Sequence, residues 1–212
     1  VIDSTVEFAL FDTAIGCCTI AWSARGVAAV RLPEDSPAAS RARLRRRFPD
    51  AREAPPPPAV QRVIEGIVAS LAGEPRPLDD VTLDMEGVPP FHRRVYEVAR
   101  TIPWGATASY GDIARRLGDP AAARDVGQAL GQNPFAIVVP CHRVVAADGT
   151  WGGFSARGGV ATKRRLLARE GAQRSLLDDW RATPRAAAGR SPAPARAPRP
   201  GAARARGTPG CC

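Results

Sequence analysis

Of five cysteines and two histidines in the chain, one of each stands side by side in IVVPCHRVV, residues 137–145. A free thiol titrates near ~8.5, so little of it is thiolate at neutral pH, and a nucleophilic cysteine needs a base or a positive charge close by. His142 is the adjacent base. Neighbouring side chains in an extended segment point to opposite faces, so adjacency alone does not join Cys141 to His142; a bridging water or a sharp turn is needed. A buried structural cysteine beside a surface histidine is the competing reading. Pro140 removes a backbone donor and fixes the chain just ahead of the thiol.

A carboxylate stands in an unusual place further on. The stretch ATKRRLLARE (161–170) has helical periodicity, with Leu166 and Leu167 inward and Lys163, Arg164 and Arg165 mostly outward. It ends on Glu170, just before Gly171. An acid at a helix C-terminus opposes the macrodipole by roughly 0.3–1 kcal/mol. Glu170 is therefore either an exposed surface acid or the third member of a Cys–His–carboxylate relay, orienting His142 and stabilising its positive form.

The elements ahead of the cysteine must position it. SYGDIARRL (109–117) opens on Ser109 with Asp112 three residues on, a capping-box start, and Gly118 ends it. Asp119 caps a second helix, Pro120 takes its first position, and it runs to about Gly131. Two short helices about a tight turn form either a helix-turn-helix or a plain αα-corner. The second helix carries Ala121, Ala122, Ala123 and Gly127 around one long side chain, Arg124. Small residues permit close backbone approach. In a narrow minor groove a single arginine can intrude where bulky groups clash, which favours DNA. FAIVV (135–139) is expected to be buried, and VVAADGTW reads as a hairpin turning at Asp148-Gly149.

The first part of the chain has a different pattern. Residues 5–11, 17–22 and 27–32 read as strands of an antiparallel meander. A basic helix is expected over 36–48, a stiff connection over 50–58 and an amphipathic helix over 59–72, with Val60, Val63, Ile64, Ile67, Val68 and Leu71 on one face. A loop, a short strand and a boundary follow over 73–90, then a helix over 90–102. This divides the chain into 1–85, 86–175 and an Arg/Ala/Pro-rich tail, 176–212.

Net charge is +9, yet from Trp180 onward there are seven arginines and no Asp, Glu or Lys, so the chain ahead of the tail is only mildly basic. The tail is either a solvated, disordered end or a nonspecific nucleic-acid arm. No apolar run of about 18 residues predicts a membrane span, and the acidic N-terminal stretch does not read as a signal peptide. Sparse, odd-numbered cysteines point to reduced thiols inside the cell, and no paired Cys/His spacing suggests structural zinc.

Together, SYGDIARRLGDPAAARDVGQALGQNPFAIVVPCHRVV and the later GGFS and LLAREG resemble the O6-alkylguanine-DNA alkyltransferases, the methylated-DNA–protein-cysteine methyltransferases, over about residues 89–172. The resemblance implies an α/β N-terminal domain, ribonuclease-H-like, plus a mainly α C-terminal domain with a winged helix-turn-helix-like DNA-binding unit. It implies that Cys141 accepts the alkyl group, His142 activates it through water, Glu170 orients His142 and Asn133 braces the turn. Tyr110 would aid base flipping and protonate the leaving guanine. On the DNA side it implies Arg124 filling the space left by the base, with Tyr110, Ala122, Ala123 and Gly127 on the same surface. Ser155 would stand at guanine O6 and the Val144 carbonyl at the exocyclic amine. The implied activity is single-turnover repair of O6-alkylguanine in double-stranded DNA, with O4-alkylthymine a further substrate. The implied protein is a cytoplasmic monomer with no metal, cofactor or membrane partner.

Some positions depart from the family pattern. Asp125 follows Arg124 where Ala is common, Phe154 replaces a common Tyr, and Ala156-Arg157 stands where many relatives have Gly-Gly. These bear on DNA affinity and alkyl range. A lesion-binding or regulatory DNA protein is a second reading, opposed by Cys141, which alkyltransferase-like proteins lack. A cysteine hydrolase is a third, and it leaves the Ala-rich helix unexplained.

Overall fold

Apolar residues alternate along three N-terminal strands, β1 (Glu7–Thr13), β2 (Gly16–Ser23) and β3 (Gly26–Arg31), which pair antiparallel in chain order. The computed structural model describes residues 5–147 and 150–172. The expected turn at Asp148-Gly149 and the 176–212 tail lie outside the described residues. Register places Phe8, Ala21 and Ala29 in one row and Ala9, Ile20 and Val30 in the next. With a side-chain period of two, these rows face opposite sides of the sheet.

Each face has its own helix. Leu44 of α1 (Pro37–Arg47) joins Phe8, Ala21, Ala29 and Ala51 in a small cluster. α2 (Pro58–Ala72) packs Val60, Ile64, Ile67 and Leu71 into the main core with Ala9, Ile20 and Val30. Val63 and Val68, expected on the same face, are only half-buried. The expected caps form: Ser36 Oγ accepts from Ala39 N at 3.1 Å, and Gly73 ends α2 in the left-handed region.

The stiff connection over 50–58 contains a short strand, β4 (Arg52–Glu53), which adds to β1 in parallel and gives the order β3-β2-β1-β4. Two residues carry no periodicity, so only their backbone partners reveal the strand: Arg52 N donates to Val6 O and Ala54 N to Phe8 O. The short strand expected after residue 80 is reduced to a bridge between Val27 and Leu83.

The second half is mainly helical: α3 (Pro90–Arg100), α4 (Tyr110–Arg116), α5 (Ala123–Gly131) and α6 (Gly159–Arg169). Asp119 caps a 3-10 turn, Pro120–Ala122, and α5 starts only after it. Between α3 and α4 lies β5 (Ala108–Ser109), which pairs in parallel with β6 (Val144–Val145). Sequence pattern did not reveal this two-residue ladder. The two halves share the main core, and the outer edge of β3 bonds to the turn before the cysteine: Val30 N donates to Pro134 O, and Ala136 N to Val30 O.

Candidate active site

The run FAIVV folds as a tight buried turn. Val139 N donates to Phe135 O, Val138 N to Ala136 O and Cys141 N to Val139 O, at 2.8, 2.9 and 2.8 Å. Ile137 takes φ 71°, rare for a β-branched residue and costing of order 1–3 kcal/mol. Asn133 spans the turn: its Oδ1 accepts from Phe135 N and its Nδ2 donates to Val139 O, both at 2.9 Å. The chain then enters a 3-10 turn, Cys141–Arg143, leading into β6. Among the described residues no side-chain hydrogen bond joins Cys141 to His142 across this turn.

Inside that turn His142 is 1% exposed. Its Nε2 lies 2.7 Å from Oε1 of Glu170, an acceptor, so Nε2 carries the hydrogen and donates. Burial pushes the His142 pKa below its ordinary value; Glu170 opposes that shift, while Arg143 and Lys163 add to it. Burial therefore favours the neutral imidazole, while Glu170 acts in the expected direction and favours the positive form. Among the described residues Nδ1 has no hydrogen-bond partner.

Glu170 follows α6 as its C-cap, and it is buried rather than a surface acid. Arg143 offsets both the burial and the helix dipole. Its Nε donates to Oε2 at 2.8 Å and its Nη2 to Oε1 at 3.1 Å, while Nη1 donates to Ile102 O at 2.7 Å. Burial alone would raise the carboxyl, but His142 and Arg143 outweigh it and hold the pKa at about 2. Arg143 was not among the residues expected at the site, although it is the next residue after the Cys–His pair.

Lys163 overturns another expectation. It is fully buried, and its Nζ donates to the Val144 carbonyl. Periodicity put it outside with Arg164 and Arg165, which are indeed exposed. Its inward direction follows from that carbonyl, which hydrophobic pattern cannot register. Burial lowers its pKa to about 8, and the charge of a Cys141 thiolate opposes the fall.

Cys141 is half-buried, and burial raises its pKa. The Asn133 side chain, the Lys163 charge and the backbone amides of Cys141 and His142 work the other way. Sγ opens on a narrow cavity whose lining includes Arg31, Arg43, Phe154, Ser155 and Arg157. Arg157 is ion-paired with Asp35, ahead of α1.

Tyr110 reaches the site through the β5–β6 ladder, in which Ala108 pairs Val144 and Ser109 pairs Val145. The expected capping box holds it there: Ser109 N donates to Asp112 Oδ2 at 2.8 Å and Asp112 N to Ser109 Oγ at 3.1 Å. Burial, and then the nearby Cys141 charge, raise its hydroxyl pKa. The ring lies against two glycines. A Cβ on Gly127 would sit 3.8 Å from it, and one on Gly152 only 2.7 Å from Oη.

On α5 Arg124 and Asp125 are exposed, with no ion pair between them, and Ala123 and Gly127 are half-buried. Ala122 departs from expectation: it is 4% exposed and closes the 3-10 turn through Ala122 N to Asp119 O, so its side chain packs inward instead of lying on an open surface. Among the described residues no cluster of three or more His, Cys, Asp or Glu could hold a metal ion. No described helix is long and apolar enough to cross a membrane.

Comparison with known proteins bears on this arrangement. The family model described as 6-O-methylguanine DNA methyltransferase, DNA binding domain, matches residues 90–172. The bifunctional transcriptional activator/DNA repair enzyme Ada of Escherichia coli is 41% identical over 165 residues, covering 78% of this chain but 45% of Ada. The chain thus spans about half the length of that relative. The methylated-DNA–protein-cysteine methyltransferase of Mycobacterium bovis is 38% identical over 162 residues, covering 76% of this chain and 90% of that protein. Among solved structures, Mycobacterium tuberculosis OGT in complex with DNA superposes with a TM-score of 0.63 at 36% identity, covering 81% of this chain and 97% of that one. The O6-methylguanine-DNA methyltransferase of Pyrococcus kodakaraensis gives a TM-score of 0.59 at 27% identity, covering 79% and 99%. With a site built on Cys141, His142 and Glu170 and near full-length coverage of such relatives, the chain belongs to the methylated-DNA–protein-cysteine methyltransferase family.

Proposed function

We propose that this protein repairs O6-alkylguanine in double-stranded DNA by moving the alkyl group irreversibly onto Cys141. One observation carries this reading: a neutral, buried His142 commits Nε2–H to Glu170 at 2.7 Å and keeps Nδ1 free to take a proton. The thiol proton passes through a water to Nδ1. Sγ then attacks the alkyl carbon in line, and the bond from that carbon to O6 breaks with its electron pair going to guanine. The Tyr110 hydroxyl, whose raised pKa keeps it protonated at neutral pH, donates to the leaving base. The thioether is stable in this site, so each molecule acts once.

The target carbon lies within the base stack, so the nucleotide is flipped out at a cost of a few kcal/mol, less where the lesion already weakens pairing. Exposed Arg124 fills the vacated space, and half-buried Ala123 and Gly127 keep that face of α5 low against a minor groove. Ser155, at the mouth of the thiol cavity, contacts O6. The Val144 carbonyl gives one lone pair to Lys163 and keeps the second for the exocyclic amine. DNA as partner is supported by the M. tuberculosis neighbour, whose structure is described in complex with DNA. Within the same proposal, residues 1–85 form a ribonuclease-H-like domain, supported by the β3-β2-β1-β4 sheet with one parallel edge. Residues 86–175 form the catalytic domain, with α4 and α5 as a winged helix-turn-helix-like unit, and the protein works as a cytoplasmic monomer.

Intact mass after mixing with a duplex containing O6-methylguanine tests the reading. The expected result is a single added methyl group mapped to Cys141. Binding without an adduct sinks it and leaves a lesion-binding protein. For the DNA side, Arg124→Ala is expected to slow duplex repair sharply while affecting reaction with free O6-benzylguanine much less. Equal losses on both substrates would remove Arg124 from the flipping step.

A further inference from the structure

α1 carries arginines at 41, 43, 45, 46 and 47 and no acid. Some of these have structural occupations. Arg41 binds Glu53, Arg43 binds Glu34 at 3.1 Å, and Arg45 lies over the Phe8 ring. A basic last turn also complements the helix dipole. That account does not extend to Arg31, at the end of β3. Burial lowers its pKa, and then Arg43, Arg47 and Arg46 lower it further, with Glu34 opposing. Arg31 and Arg43 line one cavity, and the spacing i, i+3, i+4 along α1 puts Arg46 and Arg47 on the same face as Arg43. Among the described residues no carboxylate pairs with Arg46 or Arg47, and the acids at this rim, Glu34 and Asp35, are taken by Arg43 and Arg157.

That cavity is the one on which the reactive thiol opens, and Cys141 and Ser155 line it too. Hydrogen bonds from β3 to Pro134 and Ala136 fix that edge to the turn holding the cysteine. On the reading that a nucleotide is flipped into this cavity, its flanking phosphates travel with it to the cavity mouth. Guanidinium groups match phosphate oxygens in charge and in forked geometry, and a bound anion relieves their mutual repulsion.

We infer that Arg31, Arg43, Arg46 and Arg47 form a second phosphate-binding surface, on the N-terminal region, which grips the backbone of the strand carrying the flipped nucleotide. α5 and this patch then hold the DNA from two sides of the thiol. The inference rests on the alkyl-transfer reading, and its test separates the two.

The full chain, its Arg46→Gln/Arg47→Gln double variant and the charge-preserving Arg46→Lys/Arg47→Lys variant are compared in two measurements. The first is the dependence of undamaged-duplex binding on salt. The slope of log affinity against log salt is expected to fall by about 0.9 for each phosphate that is no longer neutralised, thus by about 1.8 in the glutamine variant, and to be largely kept with lysines. The second is the rate of methyl uptake from duplex O6-methylguanine relative to reaction with free O6-benzylguanine, a ratio expected to fall several-fold in the glutamine variant. An unchanged slope, or both rates falling together, overturns the patch. If the unmodified chain takes up no methyl group at all, the alkyl-transfer reading fails instead, and the salt slope still decides whether the patch binds DNA.

Discussion

Cys18 and Cys141 occupy opposite kinds of backbone. Cys18 lies on β2 with no exposed surface, among Ile20, Val30 and other core side chains, and the Thr13 hydroxyl is 3.8 Å from its sulfur. Burial drives its pKa to about 12, against a small lowering from Thr13. Cys141 is also raised by burial, yet Asn133, Lys163 and two backbone amides resist. The difference comes from where the backbone N–H groups go. In the β1–β2 ladder, where Cys18 pairs with Phe11, strand amides are spent on strand carbonyls. At the start of a short helical turn Cys141 N still donates to Val139 O, but the His142 N–H is not spent on a ladder carbonyl and can serve a thiolate. Burial by itself makes a thiol inert; the irregular turn supplies the dipoles that make a buried thiol useful.

Replacing each cysteine gives the largest expected contrast. Cys141→Ala should abolish methyl uptake, whereas Cys18→Val, close to isosteric, should take up one methyl per molecule and cost less than about 1.5 kcal/mol of stability. An adduct on Cys18 in either protein would break the contrast. A smaller effect is expected from Glu170→Gln, which leaves the thiol in place but loosens His142: roughly 10²–10⁴-fold slower transfer, the range for a positioned general base. Stability reports on the same carboxylate. Its pKa in the folded protein is about 2, against 4.5 for the free group. Its contribution is therefore complete above about pH 4.5 and lost as pH falls toward about 2, because the unfolded chain takes up the proton first. Acid unfolding of Glu170→Gln should be flatter across that window, and identical curves would mean that the carboxylate is not held by His142 and Arg143.

The parts of the fold and site that could be read in advance are those in which one residue type does one local job. Ser36, Ser109, Asp112 and Gly73 cap where their chemistry says they should. Glu170 drew notice because it breaks a helix-end rule, and it is found bonded to His142. What escaped depends on partners distant in the chain. β4, β5 and β6 are two residues each and exist only through their pairing strands. Ala122 looked like bare surface because a poly-alanine turn has no polarity pattern to say which side is in. Lys163 looked like one of three exposed cations because a helical wheel registers apolar neighbours and not a carbonyl 19 positions back in the chain.

Lys163 also gives the finest test of the two-cysteine contrast, because removing it should move Cys141 part of the way toward Cys18. An ammonium at this position favours the thiolate, and Lys163→Met deletes that charge at similar length. The thiol should then titrate higher, and transfer at neutral pH should slow. A structural loss of the same size is distinguished by pH. In the natural protein Lys163 itself loses its proton near pH 8, so its help fades above that value. The rates of the two proteins with free O6-benzylguanine should therefore be furthest apart near neutrality and converge as the medium becomes alkaline. A gap that stays constant across pH would mean that Lys163 serves only to hold the Val144 carbonyl. Convergence would mean that the charge, more than the hydrogen bond, is what separates the reactive half-buried cysteine from the inert buried one in this chain.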